Sequence, residues 1–437
     1  MTVAGDGMAA AEREGSEQTQ SGHWTRRGAF TIIFLGMTAG LQMSDMGVQA
    51  ISLSAIQTSF AVSDAALGTL QGLAGVLVGS ALAIPLARFA DRFSRKRLLL
   101  CLILASTLMM VLSALAPTFP LFFIGRSAAG ITEFAMVPLV YSMIPDIAPE
   151  RHRVAANLSF AALMAIGASG GFYFAGPLIA LAGELSPLSL EPWRNAFLLL
   201  AMAGLPMFML GGATVDPPRR SRAAEASTAS SLRSYLREHQ PVVVRFVGAA
   251  GFLIVGVQAI NHLIALGLER RFHATPSDIG ESLGLIVLVT TLGCLPFAGL
   301  WDRYLSTRLR HAARPAIMAA CTAMALPLLI TLILAGTLQF AFIALGLALY
   351  LSNSANALVP TMIQDLVPAA LRARSFAMWS FTVSVFGASG PVVAGLLSSH
   401  MFGGNMLQAI VLVAVPTMML SMLCAISLFR KTDPGWR

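Results

Sequence analysis

The chain is short of charge. Asp, Glu, Lys and Arg make up 11% of its 437 residues, where soluble proteins carry about 25%. With 56% hydrophobic residues and a mean hydropathy of +0.74, this excludes an ordinary water-soluble globule and indicates a polytopic membrane protein. Cysteine is scarce too. Cys101, Cys294, Cys321 and Cys424 all lie in apolar runs without partners at metal-ligand spacing; they read as small packing residues, with no disulfide framework and no metal. The absence of a Gly-Lys nucleotide motif argues against an ATP-driven pump. Without clustered His or a nucleophile–base pair, neither an enzyme nor a cofactor is expected. Residues 1–23 have no apolar core and so are not a signal peptide. Residues 1–27 are expected to form a disordered cytoplasmic tail, and the first membrane helix to serve as an uncleaved insertion signal.

The net charge of +8 is the mark of Arg- and Lys-rich cytoplasmic loops, not of a nucleic-acid partner. Crossing roughly 30 Å of hydrocarbon takes about 20 mostly apolar residues. Apolar runs of that kind recur at 28–52, 65–87, 98–116, 118–144, 155–182, 195–213, 242–267, 281–301, 315–335, 337–364, 374–399 and 406–429. The pattern predicts twelve helices, with Ser63-Asp64 and Ser277-Asp278 as N-caps of the second and eighth. Between the second and third spans lies Ala87–Arg97, ARFADRFSRKR, a dense charged stop at the membrane surface; Gly299–Arg310, GLWDRYLSTRLR, repeats the idea later. Of the 29 basic residues, all but Arg126, Arg194, Arg270 and Arg271 fall at the termini or in loops after even-numbered spans. That asymmetry predicts a multi-pass protein of the cell membrane with both termini cytoplasmic.

Residues 214–241 contain Pro217-Pro218 and a Ser/Ala-rich run, and read as a cytoplasmic linker between six-helix bundles at 28–213 and 242–430, with 431–437 a cytoplasmic tail. The bundles resemble each other. GVQAI occurs at Gly47–Ile51 and Gly256–Ile260, and GASG at Gly167–Gly170 and Gly387–Gly390; Asp146, Pro149 and Arg153 recur as Asp365, Pro368 and Arg372. Matches in the same order, spaced by about half the chain, point to a duplicated unit related by an axis along the membrane normal.

An ionised side chain at bilayer depth costs at least about 2.5–3.5 kcal/mol. Asp45, Glu133 and Arg126 are the charged residues expected well inside a span. Thr38, Gln42, Asp45, Gln49 and Ser52 form one polar stripe on the first span, facing either a wet cavity or another helix. Arg126 and Glu133 lie two turns apart, about 10.5 Å, too far to pair well, so Asp45 is expected opposite Arg126 with Glu133 nearer mid-membrane. The functional reading is a proton relay: desolvation raises a carboxylate's pKa, a neighbouring Arg holds it down, and moving the Arg lets the acid take a proton. The alternative is a static tie between two helices. In the second half, Gln258, Asn261 and His262, with Asn353 and Asn356, suit substrate hydrogen bonds at a cavity wall, as do Gln42 and Gln49; the alternative there is interhelical bonding. His262 has no second His or Cys at ligand spacing for a metal.

These features resemble the major facilitator superfamily. Ala87-x-x-x-Asp91-Arg92-x-Ser94-Arg95-Lys96 resembles the family's signature after the second helix, with small residues in place of both glycines; Arg126 and Gly130 match R-x-x-x-G in the fourth. Within the superfamily the chain is most similar to the spinster-like group, through Asp45, SDAALG at Ser63–Gly68, FADR at Phe89–Arg92 and GRSAAGITE at Gly125–Glu133. That group has Arg after the helix 1 Asp, where this chain has Met46. The resemblance implies an all-α major facilitator fold of two pseudo-symmetric bundles. It also implies a cytoplasmic gate, with Asp91, Arg92 and Arg95 as one latch and Asp302-Arg303 as a weaker mirror. Gly176-Pro177-x-x-Ala180 is a partial match to the antiporter signature.

The expected activity is secondary transport of a small organic or amphipathic solute by alternating access, coupled to protons, in a functional monomer among membrane lipids. The resemblance adds lysolipid-like amphiphiles as candidates. A passive facilitator, a transporter-like sensor and a lipid scramblase stand as alternatives.

Overall fold

The computed structural model describes residues 26–78, 94–148, 152–185, 190–216, 229–368 and 371–431. Asp91, Arg92, most of the two tails and the middle of the linker lie outside them, as does the side chain of Glu133.

In the first half the helices are α1 (Arg26–Ile51), α2 (Leu53–Phe60), α3 (Asp64–Thr69, continuing as a π-helical stretch Leu70–Val78), α4 (Arg95–Leu115), α5 (Phe119–Ile147), α6 (Arg153–Tyr173), α7 (Ala175–Glu184) and α8 (Pro192–Gly211). The linker carries α9 (Ala229–Glu238). The second half has α10 (Gln240–Phe272), α11 (Pro276–Leu309), α12 (Ala313–Leu334), α13 (Leu338–Ala357), α14 (Val359–Leu366), α15 (Arg372–His400) and α16 (Met406–Lys431). Among the described residues, ten helices are long and apolar enough to cross a membrane. The polar stripe of α1 keeps it off that count despite its 26 residues.

Several boundaries differ from expectation for local reasons. The fifth span breaks at Phe174, because Pro177 has no N–H for the carbonyl of Tyr173 four residues back. The tenth breaks at Leu358, just before Pro360. Helix α11 opens earlier than its apolar run: Pro276 takes the first turn, and the Thr275 hydroxyl, not Ser277, caps the Asp278 amide. Ser63 does cap its helix, accepting from the Ala66 amide at 3.3 Å. Helix α10 continues five residues past its apolar run and so carries Arg270 into the space between the halves.

Each half packs around a pair of helices in very close approach. In the first, α1 lies on α6; Gly167 of the first GASG meets the Gly40 backbone, and Gly171 meets Ser44. In the second, α10 lies on α15 and α16, and Gly390 of the second GASG meets the Val255 carbonyl. A side chain at either glycine would push the backbones apart. Small residues let helices gain van der Waals contact in lipid, where the hydrophobic effect does not drive association. Between halves the most extensive contacts among the described residues are α6 with α11, and α15 with α3 and its π-helical continuation.

Candidate functional site

A cavity of about 420 Å³ lies between the halves, a size that suits a drug-sized solute. Helix α1 gives it Met43, Met46 and Ala50, and α6 gives Ala168 and Phe172. From the second half come Gln258, Asn261 and His262 on α10, Thr290, Thr291 and Cys294 on α11, and Asn353 and Asn356 on α13. Five of the expected substrate-binding residues therefore meet at one wall. Gln42 and Gln49 do not join them; both are buried inside the first half.

The reason is the rotation of α1. Its polar stripe turns inward: Thr38, Gln42, Asp45, Gln49 and Ser52 are all buried, while the neighbouring Met43–Met46–Ala50 face looks into the cavity. Asp45 and Arg126 form the expected ion pair, Oδ2 to Nη1 at 2.5 Å, with side chains 1% and 6% exposed. The guanidinium also sits 5.4 Å over the Phe197 ring, a cation–π contact that partly replaces water. Among the described residues, Asp45 Oδ1, Arg126 Nε and Gln42 Nε2 are buried without a hydrogen-bond partner. Such orphan atoms are costly in a dry interior. Gln42, with Thr38, Ser106 and Thr107, also lines a small hollow of about 20 Å³, room enough for about one water.

A second charged cluster, not among the expected site residues, joins the two halves. Asp64, at the start of α3, receives Arg270 Nη2 at 2.7 Å and Nη1 at 2.8 Å. Gln57 Nε2 donates to the same carboxylate at 2.8 Å and Ser398 Oγ at 2.5 Å. Arg270 also donates to Gln57 Oε1 at 2.5 Å and the Gly404 carbonyl at 2.9 Å. Burial pushes the Asp64 carboxyl up, but Arg270, Ser398 and Gln57 together outweigh it and hold its pKa below the ordinary value of 3.8. Arg270, Ser398 and Gly404 belong to the second half and Asp64 and Gln57 to the first, so the cluster ties the halves at the face opposite the chain termini. Glycines extend the seal inward. A Cβ at Gly68 or Gly72 would run into the Pro391 or Ala388 carbonyl, and one at Gly284 would lie 2.7 Å from the Tyr173 Cβ. About two turns deeper than the Asp64–Arg270 pair, His262 Nδ1 is 3.2 Å from Gln71 Oε1, again across the halves. On local sequence Asp64 reads as part of a helix cap and Arg270 as a loop charge; the signal for the cluster is the run Glu269-Arg270-Arg271 inside a continuing helix.

At the opposite face, Arg95 pairs with Asp146 at 2.6 Å, and Arg314 pairs with Asp302 at 3.1 Å and with Asp365. Arg95 and Arg314 are offset by the same number of positions as Asp146 and Asp365, so the duplicated unit repeats an ion pair as well as a sequence. Both pairs stay within their own half. Arg95 and Asp302 thus brace bundles in this conformation, and Arg303 is exposed.

Comparison with known proteins agrees with this arrangement. Residues 35–355 and 246–435 match the model of the Major Facilitator Superfamily. An MFS-type efflux pump of Mycolicibacterium smegmatis is 26% identical over 412 residues, covering 91% of each chain. A chloramphenicol efflux pump of Mycobacterium tuberculosis is 27% identical over 230 residues, 50% of this chain and 54% of that one. Among solved structures, a bacterial homologue of the human lysosomal transporter Spinster, inward-facing and unoccupied, superposes with a TM-score of 0.77 at 19% identity, covering 93% of this chain and 96% of the other. A D-xylose–proton symporter gives 0.67 at 16% identity, covering 90% and 97%. Fold, duplicated halves and family match converge: this chain belongs to the major facilitator superfamily.

Proposed function

We propose that the protein is a proton-coupled exporter of small organic or amphipathic solutes, working as a monomer in the cell membrane by rocking its two halves about the central cavity. The observation that carries the reading is the cavity between the halves, closed on one face by the Asp64–Arg270 cluster. The excess of basic residues on the terminal face assigns that face to the cytoplasm, so the cluster is the outer gate and this conformation is shut toward the outside. The similarity to curated efflux pumps supports export, and the chloramphenicol pump makes chloramphenicol a first candidate cargo.

Asp45 and Arg126 are the coupling pair in this reading, with Glu133 a second acid on α5. The pair supports a relay because Asp45 Oδ1 is buried with no hydrogen-bond partner among the described residues, which leaves one carboxylate oxygen open to a proton. Release of Arg126 when the halves rock would leave the carboxylate free to take a proton. One observation favours a second reading, the passive facilitator: the pair is sealed from the cavity wall, as a static tie would be. Reconstitution in liposomes with an imposed pH gradient separates the two. Concentrative chloramphenicol flux that collapses with the gradient supports coupling; flux that only equilibrates supports the facilitator; no flux of any solute tried defeats both, leaving the sensor or scramblase.

A further inference from the structure

The polar side chains of the cavity wall are unevenly shared. Among the described residues, every side chain from the first half is apolar: two thioethers, two methyls and the Phe172 ring. The second half adds apolar side chains of its own, such as Ile264, Leu283 and Ile286, but it also supplies every amide, hydroxyl and imidazole among the described residues, none of which is a charged side chain. We propose that the cargo is an uncharged molecule with one hydrogen-bonding edge and one apolar face, held edge-on: its polar edge reads α10, α11 and α13, and its apolar face lies on Met43, Met46 and Phe172. This rests on the transport reading above and adds the solute's class and orientation.

Three physical points carry it. A net charge moved from water into this wall would lose hydration and meet no counter-charge among the described side chains. Amide side chains present both donors and acceptors, and here they are only loosely engaged. Asn261 Nδ2 reaches Gln258 Oε1 at 3.3 Å and Asn353 Nδ2 reaches Thr290 Oγ1 at 3.4 Å, near the limit for such bonds. Exchanging them for a solute hydroxyl or amide therefore forfeits little. On the other side, methionine is unbranched and polarizable, so it moulds to flat apolar faces of differing outline. The polar wall sets which edge is accepted, and the methionines tolerate variation in the rest.

The test is binding by the purified full chain in detergent, with no gradient applied. The probes are chloramphenicol (neutral, with amide, hydroxyls and an aryl face), its succinate ester (an anion) and tetraphenylphosphonium (a cation). The neutral probe should bind at least about tenfold more tightly than either ion, and Asn353→Leu should weaken it about tenfold. Because a loss can come from misfolding, Asn356→Asp supplies a gain: it should tighten tetraphenylphosphonium about tenfold while weakening chloramphenicol. Ions binding as well as the neutral probe, no neutral binding, or an Asn356→Asp variant with unchanged selectivity would each overturn the assignment. Binding as stated but without gradient-driven flux in liposomes would defeat the coupling scheme and leave this assignment intact; gradient-driven flux of a charged probe alone would do the reverse.

Discussion

Asp64 and Arg270 stand 206 residues apart in the chain and meet through two parallel hydrogen bonds. A bidentate guanidinium–carboxylate pair fixes orientation as well as distance. Joining the start of α3 in one half to the last turn of α10 in the other, it holds one face of the transporter shut.

Breaking that pair should open the face. Charged hydrogen bonds contribute about 1.5–3 kcal/mol each, so Arg270→Ala should shift the closed–open balance by about tenfold or more. Cys294, on the cavity wall, is a native reporter. With Cys101, Cys321 and Cys424 replaced by Ser, a membrane-impermeant maleimide added outside should label Cys294 slowly in the parent and much faster after Arg270→Ala. Equal rates would mean the cluster is not a gate.

The glycine seam makes a separate prediction about the same motion. Gly68→Ala places a methyl against the Pro391 carbonyl, a backbone atom that cannot swing away. It should speed outside labelling of Cys294 much as Arg270→Ala does. Gly299→Ala, where a Cβ meets nothing within 4 Å, should leave labelling unchanged and add about 0.5–1 kcal/mol of helix stability.

The gate should not itself sense physiological pH. The Asp64 pKa is lowered from 3.8 in the closed state, so the gate's contribution is complete above about pH 4 and is lost only as pH falls through the lowered value. Asp64→Asn should therefore weaken closure, read by Cys294 labelling, without shifting the pH profile of flux between pH 5 and 8. A shifted profile would make Asp64 a coupling residue.

The buried pair can be weighed by a double-mutant cycle. Arg126→Ala leaves Asp45 charged and alone, which should cost about 3–5 kcal/mol. Adding Asp45→Ala removes the uncompensated charge, so the double variant should be more stable than Arg126→Ala alone in thermal unfolding. Additive losses would show that the two side chains do not depend on each other.

The pairing of Asp45 with Arg126 was legible because hydrocarbon leaves few charged residues in spans, and the two that remained unpaired at matching depth had to find each other. The amides of α10 and α13 were legible for the same reason: polar groups on apolar helices need a wet or bonded face. The rotation of α1 was not. A stripe of Thr38, Gln42 and Asp45 satisfies the helical period whether it faces a cavity or Arg126, and the choice is made by Gly40 and Gly47 drawing α1 onto α6. The Asp64–Arg270 cluster was hidden differently. Each of its members has an ordinary local role, as cap, loop charge or helix-end serine, and only the docking of the halves gives them a shared one.

The most direct measurement of the coupling claim is the pH profile of solute flux in liposomes for Asp45→Asn and Glu133→Gln beside the parent. The account predicts that Asp45→Asn flattens the profile and abolishes accumulation while downhill exchange persists. Profiles that keep the parent's shape in both variants would contradict it, because no proton then travels through either acid.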